Sequence, residues 1–217
     1  MGNLKIRKLP SIRRLPTYLY KLKEMDRDGV GIVATPELAR CMNLAEIVIR
    51  KDLALTGVSG QPGVGYRVPE LIDAIVRYLK WDSPAEAVLM GVGSLGKALL
   101  GYSGFADIGL QIVAAFDSDP SKIGESVHGR TVMASAAVGP WLKMHPVPLG
   151  IICVPAAGAQ EAADQLVAGG VRGIWNFANV SLVTPDDVIV QREVIAGGLA
   201  ELSVKLGVLN GGGMPLE

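Results

Sequence analysis

Histidine and cysteine, the residues that most often carry metal and nucleophilic chemistry, are scarce: this chain of 217 residues holds two of each. Cys41 and Cys153 are too few and too far apart in sequence for a disulfide framework. Two lone thiols suit a reducing cytoplasm and small buried side chains. No Cys/His cluster has metal-ligand spacing, and no G-x-S-x-G nucleophile turn occurs. No run of eighteen apolar residues is present, so no membrane span is expected. The first residues are basic and lack the apolar block of a secretory signal. Net charge is also absent, with 21 basic and 21 acidic residues.

That neutrality hides a division. Residues 1–80 carry 14 Lys/Arg against 8 Asp/Glu, and the acidic excess lies in the remainder. A basic third on a neutral chain points to a polyanion as partner for that third alone. The character of the sequence changes near Trp81-Asp82-Ser83-Pro84. Pro84 disfavours helix at Ser83, so a helix should end there. The expected organisation is a domain over 1–82, a second over 83–195, a last helix over 196–210, and a fraying tail over 211–217 with the glycine run Gly211-Gly212-Gly213.

In the first part, Leu15, Tyr18, Leu19, Leu22 and Met25 recur at helical spacing, and Gly29 can stop that helix. Thr35-Pro36-Glu37 predicts a helix start with Thr35 as N-cap. That helix runs to about Met42, a turn follows, and a second helix covers about Ala45 to Leu55. Two short helices around a tight turn form a helix-turn-helix. Gly57 to Val68 then holds four glycines and a proline, with Val64, Tyr66 and Val68 alternating like a strand, which reads as a wing. A further helix from Pro69 to Lys80 has Leu71, Ile72, Ile75 and Leu79 on one face. In the second helix Ile49 and Leu53 should face inward. Arg50, Lys51, Ile47 and Ala54 are then left outward to enter a major groove, where the cations reach guanines or phosphates and the apolar pair reaches thymine methyls. Lys5, Arg7, Lys8, Arg13 and Arg14 would add phosphate contacts.

In the second part, apolar strands at Ala87–Met90, Leu110–Phe116, Leu149–Val154 and Gly173–Phe177 alternate with helices. This predicts a parallel, doubly wound α/β sheet. Gly91-Val92-Gly93-Ser94-Leu95-Gly96 follows the first strand and opens a helix. Gly91 permits a tight turn, Gly93 lets a pyrophosphate approach the backbone, and Gly96 lets helix and strand pack. Asp117 ends the next strand 21 residues after Gly96, close to the spacing of a ribose-binding acid. No arginine follows it closely, which favours NAD over NADP. His128, in a glycine-flanked turn, and His145, before a proline, are not placed as a dehydrogenase acid/base, so no catalytic residue is assigned.

Ile49-Arg50-Lys51-Asp52-Leu53, Gly57, Gly60 and Gly63-Val64-Gly65-Tyr66 resemble the recognition helix and wing of the Rex redox-sensing repressors. The glycine turn with Tyr102-Ser103-Gly104-Phe105 resembles their first Rossmann turn. Ala115-Phe116-Asp117-Ser118-Asp119-Pro120, Val154-Pro155-Ala156 and Asn176-Phe177-Ala178 match further blocks in order, and the similarity covers about residues 9–209. The resemblance implies a homodimer on a palindromic double-stranded operator, released when NADH binds. It implies that Gly91, Gly93, Ser94, Leu95, Gly96 and Asp117 hold the adenosine and pyrophosphate of NADH or NAD+. Tyr102, Val154, Pro155, Phe177, Ala178 and Ile195 would lie by the nicotinamide, with Gln61 and Gly63 of the wing at the DNA. The last helix, about Ala196 to Leu209, would exchange between subunits.

Three departures from the family pattern involve four positions. Pro62 stands where a wing arginine is common. Tyr20 and Val194 replace a paired arginine and acid, and Ile195 replaces an aromatic residue that some members place near the nicotinamide. Three other readings compete: an NAD-dependent oxidoreductase with an accessory N-terminal domain, a CoA-binding module, and a DNA-binding protein whose Rossmann domain only dimerises.

Overall fold

Leu15, Tyr18, Leu19, Leu22 and Met25 form the inner face of helix α1 (Leu9–Arg27), and all five are buried. The computed structural model describes residues 8–209. Lys5, Arg7, residue 210 at the expected end of the last helix and the tail 211–217 lie outside that range. Gly29, with φ of 78°, turns the chain after α1. Strand β1 (Ile32–Val33) leads into α2 (Thr35–Met42). Thr35 is not the N-cap: Ala34 holds that place with extended backbone, and no side chain caps the helix. With Ala34 as N-cap, Pro36 falls at the second helical position and lacks one of the first-turn amides that would otherwise need a partner.

Asn43, in the left-handed conformation, ends α2, and α3 (Glu46–Leu53) follows. Beyond Leu53 the chain tightens into a 3-10 turn at Ala54–Thr56, so the predicted second helix is shorter than its periodicity suggests. The wing is closed by the Gln61 amide donating to the Gly65 carbonyl at 2.7 Å. Strand β2 (Tyr66–Arg67) pairs antiparallel with β1, Val33 opposite Tyr66. The expected strand does not reach Val68, which is the first residue of α4 (Val68–Leu79). Pro69, preset for a first helical turn, takes over there.

The chain divides into two units, one running to Pro84 and including Gly104–Leu110, the other comprising Ala85–Ser103 and everything from Gln111 onward. The sequence places Gly104–Leu110 wholly in the second domain. In the structure the Asp107 carbonyl instead accepts a hydrogen bond from Lys23 Nζ at 3.2 Å, within the first unit.

The second unit contains β3 (Ala85–Met90), α5 (Ser94–Leu100), β4 (Leu110–Asp117), β5 (Ser126–Val127), β6 (Arg130–Ala134) and α6 (Val138–Met144). After them come β7 (Leu149–Ile152), α7 (Ala156–Ala168), β8 (Gly173–Asn176), β9 (Ile189–Arg192) and α8 (Ala196–Leu209). The sheet order is β5-β6-β4-β3-β7-β8-β9. β3 and β7, β7 and β8, β8 and β9, and β4 and β6 pair in parallel, while β5 forms an antiparallel hairpin with β6. Without β5 this is the doubly wound Rossmann order, and the chain reverses direction of growth between β3 and β7, where such folds bind ligands. The elements β5, β6, α6 and β9 carry too little periodicity to be read from sequence. Among the described residues no helix is long and apolar enough to cross a membrane.

Among the described residues three polar or charged ones are buried, Asp52, Asp117 and Asn176. Asp52, 1 % exposed, ties α3 to α1. It accepts from Arg14 Nε at 2.6 Å, Arg14 Nη2 at 2.8 Å and the Tyr18 hydroxyl at 2.7 Å. Burial pushes its pKa up, but hydrogen bonds from Arg14, Ser11 and Tyr18 outweigh that and hold it below the usual carboxylate range. Asp52→Ala should therefore cost about 3 kcal/mol, the lower end for a broken buried pair because Arg14 keeps some solvent access. Urea unfolding of the variant tests this, and a loss under about 1 kcal/mol would contradict it. The folded pKa lies below the unfolded one, so the pair's contribution is complete above the unfolded value of about 4 and fades as pH falls through the folded value. The gap between wild type and variant should narrow on acidification.

Candidate functional site

Strand β3 delivers Gly91 to the edge of the sheet with φ of 97°, a conformation few other residues adopt. A Cβ there would lie 2.8 Å from the Cys153 carbonyl carbon and the Val154 amide nitrogen, at the end of β7. A Cβ at Gly96 would lie 2.0 Å from the Gly91 carbonyl oxygen. Helix α5 therefore packs on its strand only because position 96 has no side chain. Gly93 caps α5 with extended backbone, and a Cβ there would meet nothing within 4 Å. The three glycines thus do different jobs: two allow close packing and one leaves space open in front of the backbone.

Asp117 closes the same corner, 7 % exposed at the end of β4. Its Oδ2 accepts from the Val92 amide at 2.7 Å and from Lys122 Nζ at 3.1 Å, and its Oδ1 accepts from the Asp119 amide at 2.9 Å. Burial opposes its charge, but these partners hold its pKa below the usual range. A carboxylate has about four acceptor sites, so one remains for a hydroxyl donor.

These residues line a cavity of about 670 Å³ at the reversal point between β3 and β7. Of the residues singled out in the sequence, Gly91, Gly93, Asp117, Val154 and Pro155 line it, joined by Cys153, Lys122, Ser135 and Glu161. Burial pushes the Cys153 thiol up to about 12, so it is a protonated, unreactive wall residue. Ser94, Leu95 and Gly96 belong to α5 behind the turn. Tyr102 and Ile195 are exposed, Phe177 is half-buried against Trp175, and Ala178 is buried. None of these four lines the cavity. Among the described residues no group of His, Cys, Asp or Glu is placed to hold a metal ion.

In the first unit, α3 buries Ile49 and Leu53 and presents Ile47, Arg50 and Lys51 to solvent, with Ala54 exposed at the start of the 3-10 turn that follows. Arg50 pairs with Glu46 at 2.8 Å, an exposed contact that is easily exchanged. Arg50 also borders a groove of about 460 Å³ whose other wall is the wing, Gly60 to Tyr66, so Gln61 and Gly63 face the same space as the helix. The wing lies close to β1, since a Cβ at Gly65 would meet the Val33 carbonyl oxygen at 2.3 Å. Arg13 is exposed on α1, whereas Arg14 is not the free cation the sequence suggests. Its guanidinium is committed to Asp52, and its charge is balanced within the protein.

Residues 9–54 match a family described as the putative DNA-binding protein N-terminus, and residues 82–180 one described as the CoA binding domain. The redox-sensing transcriptional repressor Rex of Treponema denticola is 41 % identical over 206 residues, covering 95 % of this chain and 98 % of that protein. The protein of the same name from Desulforamulus reducens is 38 % identical, covering 95 % and 96 %. The chain belongs to the Rex family of redox-sensing transcriptional repressors.

Two solved structures of a Rex-family repressor called RSP share the whole architecture. One is in complex with β-NAD+ and operator DNA, with a TM-score of 0.85, 32 % identity and 94 % of both chains covered. The other is in complex with β-NADH, with a TM-score of 0.86, 30 % identity, and 95 % of this chain and 97 % of that one covered. These relatives are named transcriptional repressors and are matched over nearly their full length, which decides for the repressor reading over the oxidoreductase one.

Two side chains of this Rex protein escaped sequence reasoning. Asp52 sits inside the quoted recognition run, yet its place beside the inward stripe of Ile49 and Leu53 was the signal of a buried partner. Lys122 lies three residues after Asp119 and five after Asp117, a spacing that a search for arginine alone passes over. The glycine geometry gives a direct test. Gly96→Ala should lose about 1–3 kcal/mol of stability because backbone must move. Gly93→Ala should change stability by less than about 1 kcal/mol. Equal thermal midpoints for the two variants would contradict the packing described.

Proposed function

We propose that this chain works as an operator-binding repressor whose α/β unit senses the ratio of NADH to NAD+. The observation that carries this is the cavity behind Gly91 and Gly93, with an unfilled acceptor on Asp117, in one chain with an outward basic helix and wing. The residues present fit a dinucleotide: Gly93 leaves room for a pyrophosphate, and Asp117 can still accept from a ribose hydroxyl. The ligand is read and not consumed, so no catalytic group is required.

Lys51 and Arg50 reach base edges or phosphates in the major groove, with Ile47 and Ala54 beside them and Arg13, Gln61 and Gly63 at the backbone and wing. Pro62 at the wing removes an arginine that would read the minor groove, so the preferred operator differs from that of relatives with one. Two copies act together, one on each half-site about one helical turn apart. Helix α8 supports this reading, because Leu199, Leu202, Val204 and Leu206 are all exposed on it and would be covered by exchange between subunits. Operator binding places the protein in the cytoplasm.

A ligand moves an equilibrium only by its differential affinity for the two states. NADH must therefore prefer the dimer that cannot bind DNA. A tenfold loss of operator affinity needs about 1.4 kcal/mol of such preference. The oxidised nicotinamide is cationic and the reduced ring neutral, so an apolar surround disfavours NAD+ by desolvation. Val154 supplies part of it at the cavity wall, and Phe177, Ala178 and Ile195, which lie outside the cavity in this structure, would join it only around a bound ring. Tyr20 and Val194 cannot form an ion pair, so switching rests on other contacts in this chain.

The two halves can be disabled separately. Gly93→Ala should keep operator binding while lowering NADH affinity at least tenfold, giving a repressor that NADH no longer releases. Lys51→Ala should bind NADH as wild type does and lose specific operator binding. Mobility shifts alongside NADH fluorescence read both, and a Lys51→Ala protein with unchanged operator affinity would refute the assigned face. Ile195→Asp should narrow the NADH/NAD+ affinity ratio in calorimetry, and an unchanged ratio would remove Ile195 from the nicotinamide surround.

A further inference from the structure

The corner of the cavity at Asp117 holds a cation that the sequence motif does not announce. Lys122 Nζ lies 3.1 Å from Asp117 Oδ2 and 3.7 Å from Asp119 Oδ2. All three side chains line the cavity. Asp119 is further fixed by accepting from the Ser121 amide at 3.0 Å and the Ser121 hydroxyl at 2.7 Å, so the triad is ordered and not a loose surface pair. Two carboxylates and one ammonium leave this corner with one net negative charge.

We propose that Lys122 is a specificity-setting residue: by offsetting one of two carboxylates, it fixes how strongly the ribose corner rejects a 2′-phosphorylated dinucleotide. The inference rests on the dinucleotide reading above and deepens it. A 2′-phosphate brings about −1.5 to −2 charges to the place where a 2′-hydroxyl would donate to Asp117. The corner repels it through its net charge, and Lys122 halves that charge. The ammonium hydrogen-bonds Asp117 and lies 3.7 Å from Asp119, so its charge is shared between the two carboxylates. NADPH is therefore disfavoured here by a graded electrostatic term and not by a steric block.

A charge series isolates that term. Lys122→Gln raises the corner to two negative charges, and Asp119→Asn brings it to zero while keeping the backbone amide that donates to Asp117. NADH affinity is measured by calorimetry on the intact protein, and NADPH affinity by competition, at two salt concentrations. The NADPH/NADH affinity ratio should fall roughly five- to tenfold in Lys122→Gln and rise by a similar factor in Asp119→Asn, both effects shrinking at high salt. Lys122→Arg keeps the charge and should restore the wild-type ratio, which a merely structural role for the lysine would not require. Thermal midpoints show whether each variant is folded, and the aspartate arm stands alone should Lys122→Gln unfold. A ratio that stays flat across the series, or moves in the opposite order, overturns the proposal while NADH binding persists. Wild-type protein that fails to bind NADH at all would instead sink the dinucleotide reading beneath it.

Discussion

Everything in the α/β unit depends on one close approach of backbone to backbone. The Gly91 carbonyl occupies the space that a side chain at position 96 would need, and Gly91 itself lies against the chain leaving β7. This contact brings α5 down onto its strand at the reversal of the sheet and opens the cavity in front of Gly93. Asp117 then ties the end of β4 to the Val92 amide in the middle of the turn. The carboxylate thus holds the shape of the turn and still offers an acceptor to a ligand. Its burial is tolerable because three donors surround it.

The first unit solves a different problem. On the proposed reading, α3 must carry cations outward and remain fixed while doing so. Only eight residues long, α3 has little stability of its own and takes its rigidity from packing. Ile49 and Leu53 supply the apolar part of that packing. Asp52 supplies the directional part, through a two-pronged contact with Arg14 and a third hydrogen bond from Tyr18. The pair withdraws one cation and one anion together, so the basic excess of this region is unchanged and Arg14 alone is lost as a free surface cation.

The sequence made the architecture legible wherever periodicity was strong. The stripe of α1, the glycine turn, the strands β3, β4, β7 and β8 and the extent of α8 all follow from it. Thr35 misled because the helix begins on it, one residue after the N-cap Ala34. The elements β1, β5, β6, β9 and α6 could not be read because they are short and lack the continuous apolar run that marks β3, β7 and β8 as buried strands. At the site, Gly91, Gly93 and Asp117, picked out by their spacing, line one cavity with Val154 and Pro155, which only the family resemblance suggested. The roles of buried Asp52 and half-buried Lys122 depend on partners 38 and 5 residues away, and only the fold shows which charges meet.

Sensing requires that filling the dinucleotide cavity changes how two recognition helices meet DNA. The most direct test is an operator mobility shift with wild-type protein, titrated separately with NADH and with NAD+. The account predicts that saturating NADH weakens operator affinity at least tenfold while NAD+ leaves the complex intact. Equal retention of the operator with no cofactor and with saturating NADH would contradict it.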